Sequence, residues 1–127
     1  MTHILIVDDS RTEVKFMKLI LEREGYETSE AYNGEDGIET AKALQPDLIL
    51  MDIIMPGKFN GYQATRYLTN HPKTKFIPIV IVSTLNTPND QAWGFMMGAS
   101  GYLSKPFKAK QLLEKITEYL NIQAKFS

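Results

Sequence analysis

Apolar residues in this chain are bunched into short continuous runs, and the segments between them repeat apolar positions at helical spacing. The runs are Ile4-Leu5-Ile6-Val7, Leu48-Ile49-Leu50-Met51, Ile77 to Val82, and Gly101-Tyr102-Leu103. Such runs, bounded by turn residues, read as strands buried on both faces. Glu27–Ala31 reads as a weaker strand. After His3–Val7, residues 12–24 carry Val14, Met17, Ile20 and Leu21 on one helical stripe, and Gly25 follows at the C′ position. Asn33-Gly34 is a turn and helix cap, and Ile38, Ala41 and Leu44 mark the face of a second helix. Residues 55–61 form a loop. A third helix carries Tyr62, Thr65, Arg66 and Leu68 and closes at His71-Pro72. A fourth, less regular one opens at Asn86-Thr87-Pro88-Asn89 and runs to about Met97. Lys108 to Leu120 is the last, with Leu112, Leu113, Ile116, Tyr119 and Leu120 inward. Alternation of this kind predicts an α/β fold, (βα)5, with a doubly wound parallel sheet and helices on both faces.

Composition narrows the class without changing that picture. A chain of 127 residues with 43% hydrophobic and 23% charged residues is one globular domain. We expect a single domain over 1–127, with Gln123–Ser127 a tail too short to form a second. The net charge of −1 offers no electrostatic basis for a nucleic-acid partner. Cysteine is absent, which excludes disulfide and thiol chemistry. The N-terminus has neither a basic start nor a long apolar segment, so no membrane insertion and a cytoplasmic location are expected.

The candidate chemistry lies where the runs stop. The first ends in Asp8-Asp9, the second in Asp52, the next in Ser83-Thr84, and the last leads into Lys105-Pro106. Taken alone, Asp8-Asp9 reads equally well as a helix cap, Asp52 as a turn acid, and Ser83 as a hydroxyl serving its own backbone, with Thr84 competing for any ligand role. Taken together, they fall at the carboxyl ends of four strands, where parallel α/β sheets bind ligands. Three crowded carboxylates call for a divalent cation. A cation beside a nucleophilic aspartate, a hydroxyl and an amine is equipment for receiving a phosphoryl group.

With those residues in hand, the chain resembles the receiver domains of bacterial two-component response regulators. Asp8-Asp9, Asp52, Met55-Pro56, Gly61, Ser83, Gly98-Ala99, Tyr102 and Lys105-Pro106-Phe107 carry the likeness, in order and over nearly the full length. The segments Ile4 to Ser10, Met51 to Gly57, Gln63-Ala64-Thr65-Arg66 and Ala92-Trp93-Gly94 are most similar to the single-domain regulators of twitching motility, the PilH type.

The resemblance implies a CheY-like, flavodoxin-like sheet of order 2-1-3-4-5. It implies Asp52 as phosphoacceptor, with Mg²⁺ (or Mn²⁺) held by Asp8, Asp9, Asp52 and the backbone carbonyl of Ile54. Ser83 and Lys105 would be the catalytic partners of the phosphoryl group, Tyr102 the aromatic switch, and the bond before Pro106 a cis peptide. The implied partners are a histidine kinase or phosphotransfer domain and a downstream protein bound through the helix 4–strand 5–helix 5 face, with the domain itself a monomer. The implied activity is signalling rather than enzymatic, beyond the domain's own phosphorylation and dephosphorylation.

Two departures from the family pattern stand out. The loop Gly57-Lys58-Phe59-Asn60 is one residue longer, which leaves its geometry open and Phe59 either a partner contact or packing. Ile54 and Leu85 replace polar groups that in many relatives help to position the hydrolytic water. A flagellar chemotaxis-type regulator and a phosphate sink are alternatives within the family. A Mg²⁺-dependent phosphatase is the alternative outside it, but Ile53 and Ile54 after Asp52 offer no second carboxylate as general acid. A flavodoxin-like cofactor binder would set Asp8-Asp9 against its own phosphate.

Overall fold

The computed structural model describes the backbone of residues 1–126 and the side chains of residues 1–120. Its elements alternate throughout: β1 (His3–Val7), α1 (Arg11–Arg23), β2 (Glu27–Ala31), α2 (Gly34–Leu44), β3 (Leu48–Met51), α3 (Gly61–Asn70), β4 (Ile79–Ser83), α4 (Pro88–Met96), β5 (Gly101–Ser104) and α5 (Ala109–Phe126). The five strands are parallel in the order β2-β1-β3-β4-β5. β1 to β2 runs one way across the sheet and every later crossover runs the other. With right-handed crossovers, that reversal sends α1 to one face and α2, α3 and α4 to the opposite face.

Strand residues alternate between these faces because side chains on a strand have a period of two. Ile4, Ile6, Leu48, Leu50, Val80, Val82 and Leu103 pack under α1 and α5 with Val14, Met17, Leu21, Leu112 and Ile116. Leu5, Val7, Ile49, Met51 and Ile79 pack under α2 and α3 with Ile38, Ala41, Ala64 and Leu68. Covering both faces is why the strands read as unbroken apolar runs. A third, smaller cluster of Ile53, Ile81, Ala99 and Tyr102 lies toward α4.

Some sequence expectations need correcting. β4 starts at Ile79 rather than Ile77, because Pro78 lacks the N–H that a ladder needs. Leu44 is exposed, not part of the α2 core face: it is the final residue of that helix, and Gln45 follows in the left-handed region at φ 50°. The last helix runs through Phe126 instead of stopping near Leu120, so most of the expected tail is helical; Ser127 lies outside the described residues. Among the described residues no helix is long and apolar enough to cross a membrane.

Candidate functional site

The reversal in strand order falls between β1 and β3, where a crevice opens at the carboxyl edge of the sheet. Register decides what lines it. Val7 pairs with both Ala31 and Met51, so β1 and β3 end level. The Asp8 N–H donates to the Ala31 carbonyl at 3.1 Å and the Asp52 N–H to the Val7 carbonyl at 2.9 Å. These bonds fix Asp8 and Asp52 side by side, one residue past their strands. Asp9 is exposed at the rim. One carboxylate oxygen from each of Asp8, Asp9 and Asp52 lies within 4.8 Å of the others.

Asp8-Asp9 is not the cap of α1. That role falls to Ser10, whose Oγ accepts the Glu13 N–H at 3.3 Å. Asp52 is held by two local features. Its Oδ1 accepts the Ile53 N–H at 2.8 Å. Behind it Gly61 packs so closely that a Cβ there would stand 1.9 Å from the Asp52 carbonyl oxygen, so only glycine lets α3 start at this point.

Lys105 enters from the far side of the sheet, after β5. The Lys105-Pro106 peptide is cis, as the resemblance implies. Its Nζ donates to Asp8 Oδ2 at 2.9 Å and to the Glu13 carboxylate, and lies 3.6 Å from Asp52 Oδ2. The side chains of Asp8, Lys105 and Asp52 are 2%, 9% and 12% exposed. Burial, and then the negative charge of Asp8, push the Asp52 carboxyl up to about 6 against the opposing pull of Lys105. Burial works against charge on the Lys105 amine, but hydrogen bonds to Glu13 and Asp8 outweigh it and hold its pKa above the usual lysine value.

Ser83 is buried and Thr84 exposed, which settles which of the two faces inward. Ser83 Oγ accepts the Leu85 N–H at 3.1 Å, so the hydroxyl engages its own loop. The Tyr102 ring is buried against Ile53, Ile81 and Ala99, and its hydroxyl donates to the Leu85 carbonyl. It is already turned inward, and its hydroxyl is bonded to the β4–α4 loop rather than left in water. Gly94 makes room for it: a Cβ there would come within 3.3 Å of the Tyr102 ring and 2.8 Å of Ile81.

The lengthened loop is anchored. The Phe59 N–H donates to Glu35 Oε1 at 3.1 Å, and the Phe59 ring packs 6.2 Å from Tyr67. Backbone N–H groups of Lys58 and Phe59 lower the Glu35 carboxyl below its ordinary range. Phe59 is therefore a packing residue, partly buried against the α2–α3 core.

The donor set fits Mg²⁺. It is a cluster of hard oxygens with more negative than positive charge, open at the Asp9 rim where water can complete a shell. The residue that sequence reasoning did not single out is Glu13, which brings a third carboxylate to Lys105 beside those of Asp8 and Asp52. Its signal was present in Ser10-Arg11-Thr12-Glu13, a helix-start pattern.

The profile of the family described as "Response regulator receiver domain" matches residues 4–117. "Protein PilH" of Pseudomonas aeruginosa is 46% identical over 120 residues, spanning 94% of this chain and 98% of that protein. The "DNA-binding dual master transcriptional regulator RpaA" of Synechocystis is 34% identical, and there the match spans 94% of this chain but 49% of the relative. Among solved structures, a CheY-like receiver domain protein from Methanospirillum hungatei superposes with a TM-score of 0.93 at 29% identity, covering 100% of this chain and 99% of that one.

Proposed function

The chain belongs to the response regulator receiver domain family, and from that premise we propose that Asp52 accepts a phosphoryl group and so switches what the domain binds. One observation carries the reading: Asp52 sits in a cluster with Asp8 and Asp9, with the Lys105 ammonium 3.6 Å away. An Asp52 carboxylate oxygen attacks phosphorus, the bond from phosphorus to the donor's leaving group breaks, and its electron pair departs with that group. The product is an aspartyl acyl phosphate.

Asp8, Asp9, Asp52 and the backbone carbonyl of Ile54 are the residues that would hold Mg²⁺, which when bound neutralises charge on the transferring oxygens. Lys105 donates to a phosphoryl oxygen. Ser83 gives up the Leu85 N–H and turns to the same group. The Ser83–Leu85 segment then moves with the Tyr102 hydroxyl bonded to it, carrying the change to α4, β5 and the start of α5, the face proposed for a downstream protein. Phosphorylation biases an existing equilibrium by supplying acceptors that Lys105 and Ser83 reward in one conformer.

The proposed donor is a histidine kinase or phosphotransfer domain, and the proposed output is binding in trans by a single receiver domain. The extent of the match to Protein PilH supports that reading, and the likeness supports a role in twitching-motility signalling. Incubation with acetyl phosphate and Mg²⁺ tests the chemistry by intact mass. The wild type should gain one phosphoryl group and Asp52→Asn none. An Asn variant labelled as fully as the wild type would sink the assignment.

A further inference from the structure

Four helices of this chain begin with a capping-box signature, and two of them close it. At α2 the Asn33 Oδ1 accepts the Asp36 N–H, but the Asp36 carboxylate accepts from the Asn33 side-chain amide rather than from its backbone. At α3 the Asn60 N–H donates to Gln63 Oε1 at 2.8 Å while the Gln63 N–H donates to Asn60 Oδ1 at 2.9 Å. At α4 Thr87 and Asp90 exchange the same two bonds, each 3.1 Å. At α1 only half is present: Ser10 Oγ accepts the Glu13 N–H, but the Ser10 N–H donates to Asp8 Oδ1 at 2.9 Å and the Glu13 carboxylate goes to Lys105. Both Asp8 oxygens are consequently occupied, Oδ1 by Ser10 and Oδ2 by Lys105. Glu13 is the movable member of the set, 44% exposed where Asp8 and Lys105 are nearly buried.

We propose that Glu13 is a positioning residue for Lys105, competing with the phosphoryl group for the ammonium and closing the α1 capping box once the ammonium leaves. The proposal rests on the phosphoacceptor reading of Asp52. With Asp52 unmodified, Glu13 and Asp8 take the two hydrogen bonds of Lys105, and Asp52 Oδ2 is left at 3.6 Å, beyond bonding distance. A phosphoryl group on Asp52 adds more charge and better acceptors than Glu13 offers, so Lys105 turns to it. Glu13 then loses its cation, and the donor left for it is the Ser10 N–H, the bond its counterparts Gln63 and Asp90 already make. That exchange frees Asp8 Oδ1, the oxygen that now accepts the Ser10 N–H. Glu13 touches neither the phosphorus nor its oxygens; it acts through Lys105.

Glu13→Gln removes the competing charge and keeps the capping group. Beryllofluoride with Mg²⁺, which stands in for the phosphoryl group, is the probe. Its affinity for Glu13→Gln should rise about threefold or more over wild type, as expected for removing one partly exposed charged competitor. The gain should vanish when both proteins also carry Lys105→Met, since the coupling runs through that amine. The Lys105 15Nζ resonance supplies a readout that simple capping would not move. It should differ between wild type and Glu13→Gln without the probe and coincide with it. Equal affinities, or a gain that survives Lys105→Met, would overturn the proposal while leaving the phosphoacceptor reading in place. Failure of the wild type itself to bind beryllofluoride would instead sink that reading. Glu13→Ala, which lacks the capping group, should show the same affinity gain with a lower melting temperature; an affinity below wild type would count against the proposal.

Discussion

Asp8 and Lys105, 97 positions apart in the chain, meet at 2.9 Å with both side chains almost wholly buried. β1 and β5, which precede them, are separated in the sheet by β3 and β4. The ion pair therefore spans the carboxyl edge of the sheet over the end of β3, with Asp52 beneath it. A buried pair of this kind is a weak source of net stability, because desolvation offsets most of the attraction. Its consequence is that neither partner can be removed quietly.

Replacing Lys105 with alanine leaves Asp8 and Asp52 facing each other with no cation. Urea unfolding at neutral pH without Mg²⁺ should show a loss on the order of 2–4 kcal/mol. Adding Mg²⁺ should recover part of that loss, since an ion bound only by the folded state stabilises it by mass action. An unchanged midpoint in the absence of Mg²⁺ would contradict the buried-pair account.

The raised Asp52 carboxyl predicts a particular pH dependence. Its folded value of about 6 lies above the ordinary 3.8. Between those values the folded state holds a proton that the unfolded state has lost, so the ionised group is a penalty above pH 6 that is relieved as pH falls toward 4. In Mg²⁺-free buffer Asp52→Asn should be more stable than wild type at pH 7, by on the order of 2 kcal/mol. The gap should narrow on acidification. A gap that widens in acid, or none at pH 7, would be incompatible with the environment described for Asp52.

Ile54 is 62% exposed beside Asp52 and offers an attacking water no hydrogen bond. Ile54→Asn should shorten the lifetime of the acyl phosphate by roughly tenfold, the scale of one oriented polar group. Leu85 is a poorer test, because its carbonyl accepts from Tyr102 and its side chain packs on the Ile53–Ile81–Tyr102 cluster. Loss of label would be timed after removal of the phosphodonor. A variant that keeps its phosphoryl group as long as wild type would remove Ile54 from any account of lifetime.

Much of this protein was legible as text. Continuous apolar strands alternating with helical stripes require a sheet buried on both faces, because no other packing shields both sides of Leu48-Ile49-Leu50-Met51 from water. Polar residues that stop those strands at the same end must then share an edge, which groups Asp8, Asp9, Asp52, Ser83 and Lys105 from their positions in the sequence. Helix caps were readable for the same reason: Asn33 and Gly25 answer to backbone groups a few residues away.

Tertiary structure decided what depends on partners distant in sequence. Whether Ser83 or Thr84 faces inward, whether Phe59 is a contact or packing, and where the Tyr102 hydroxyl goes all turn on neighbours that local spacing does not encode. Glu13 is the clearest case. Its sequence position says capping residue, and Gln63 and Asp90 in the same setting obey. Only the fold brings Lys105 within reach, and a buried ammonium outbids a backbone N–H for a carboxylate because the charged partner makes the stronger bond.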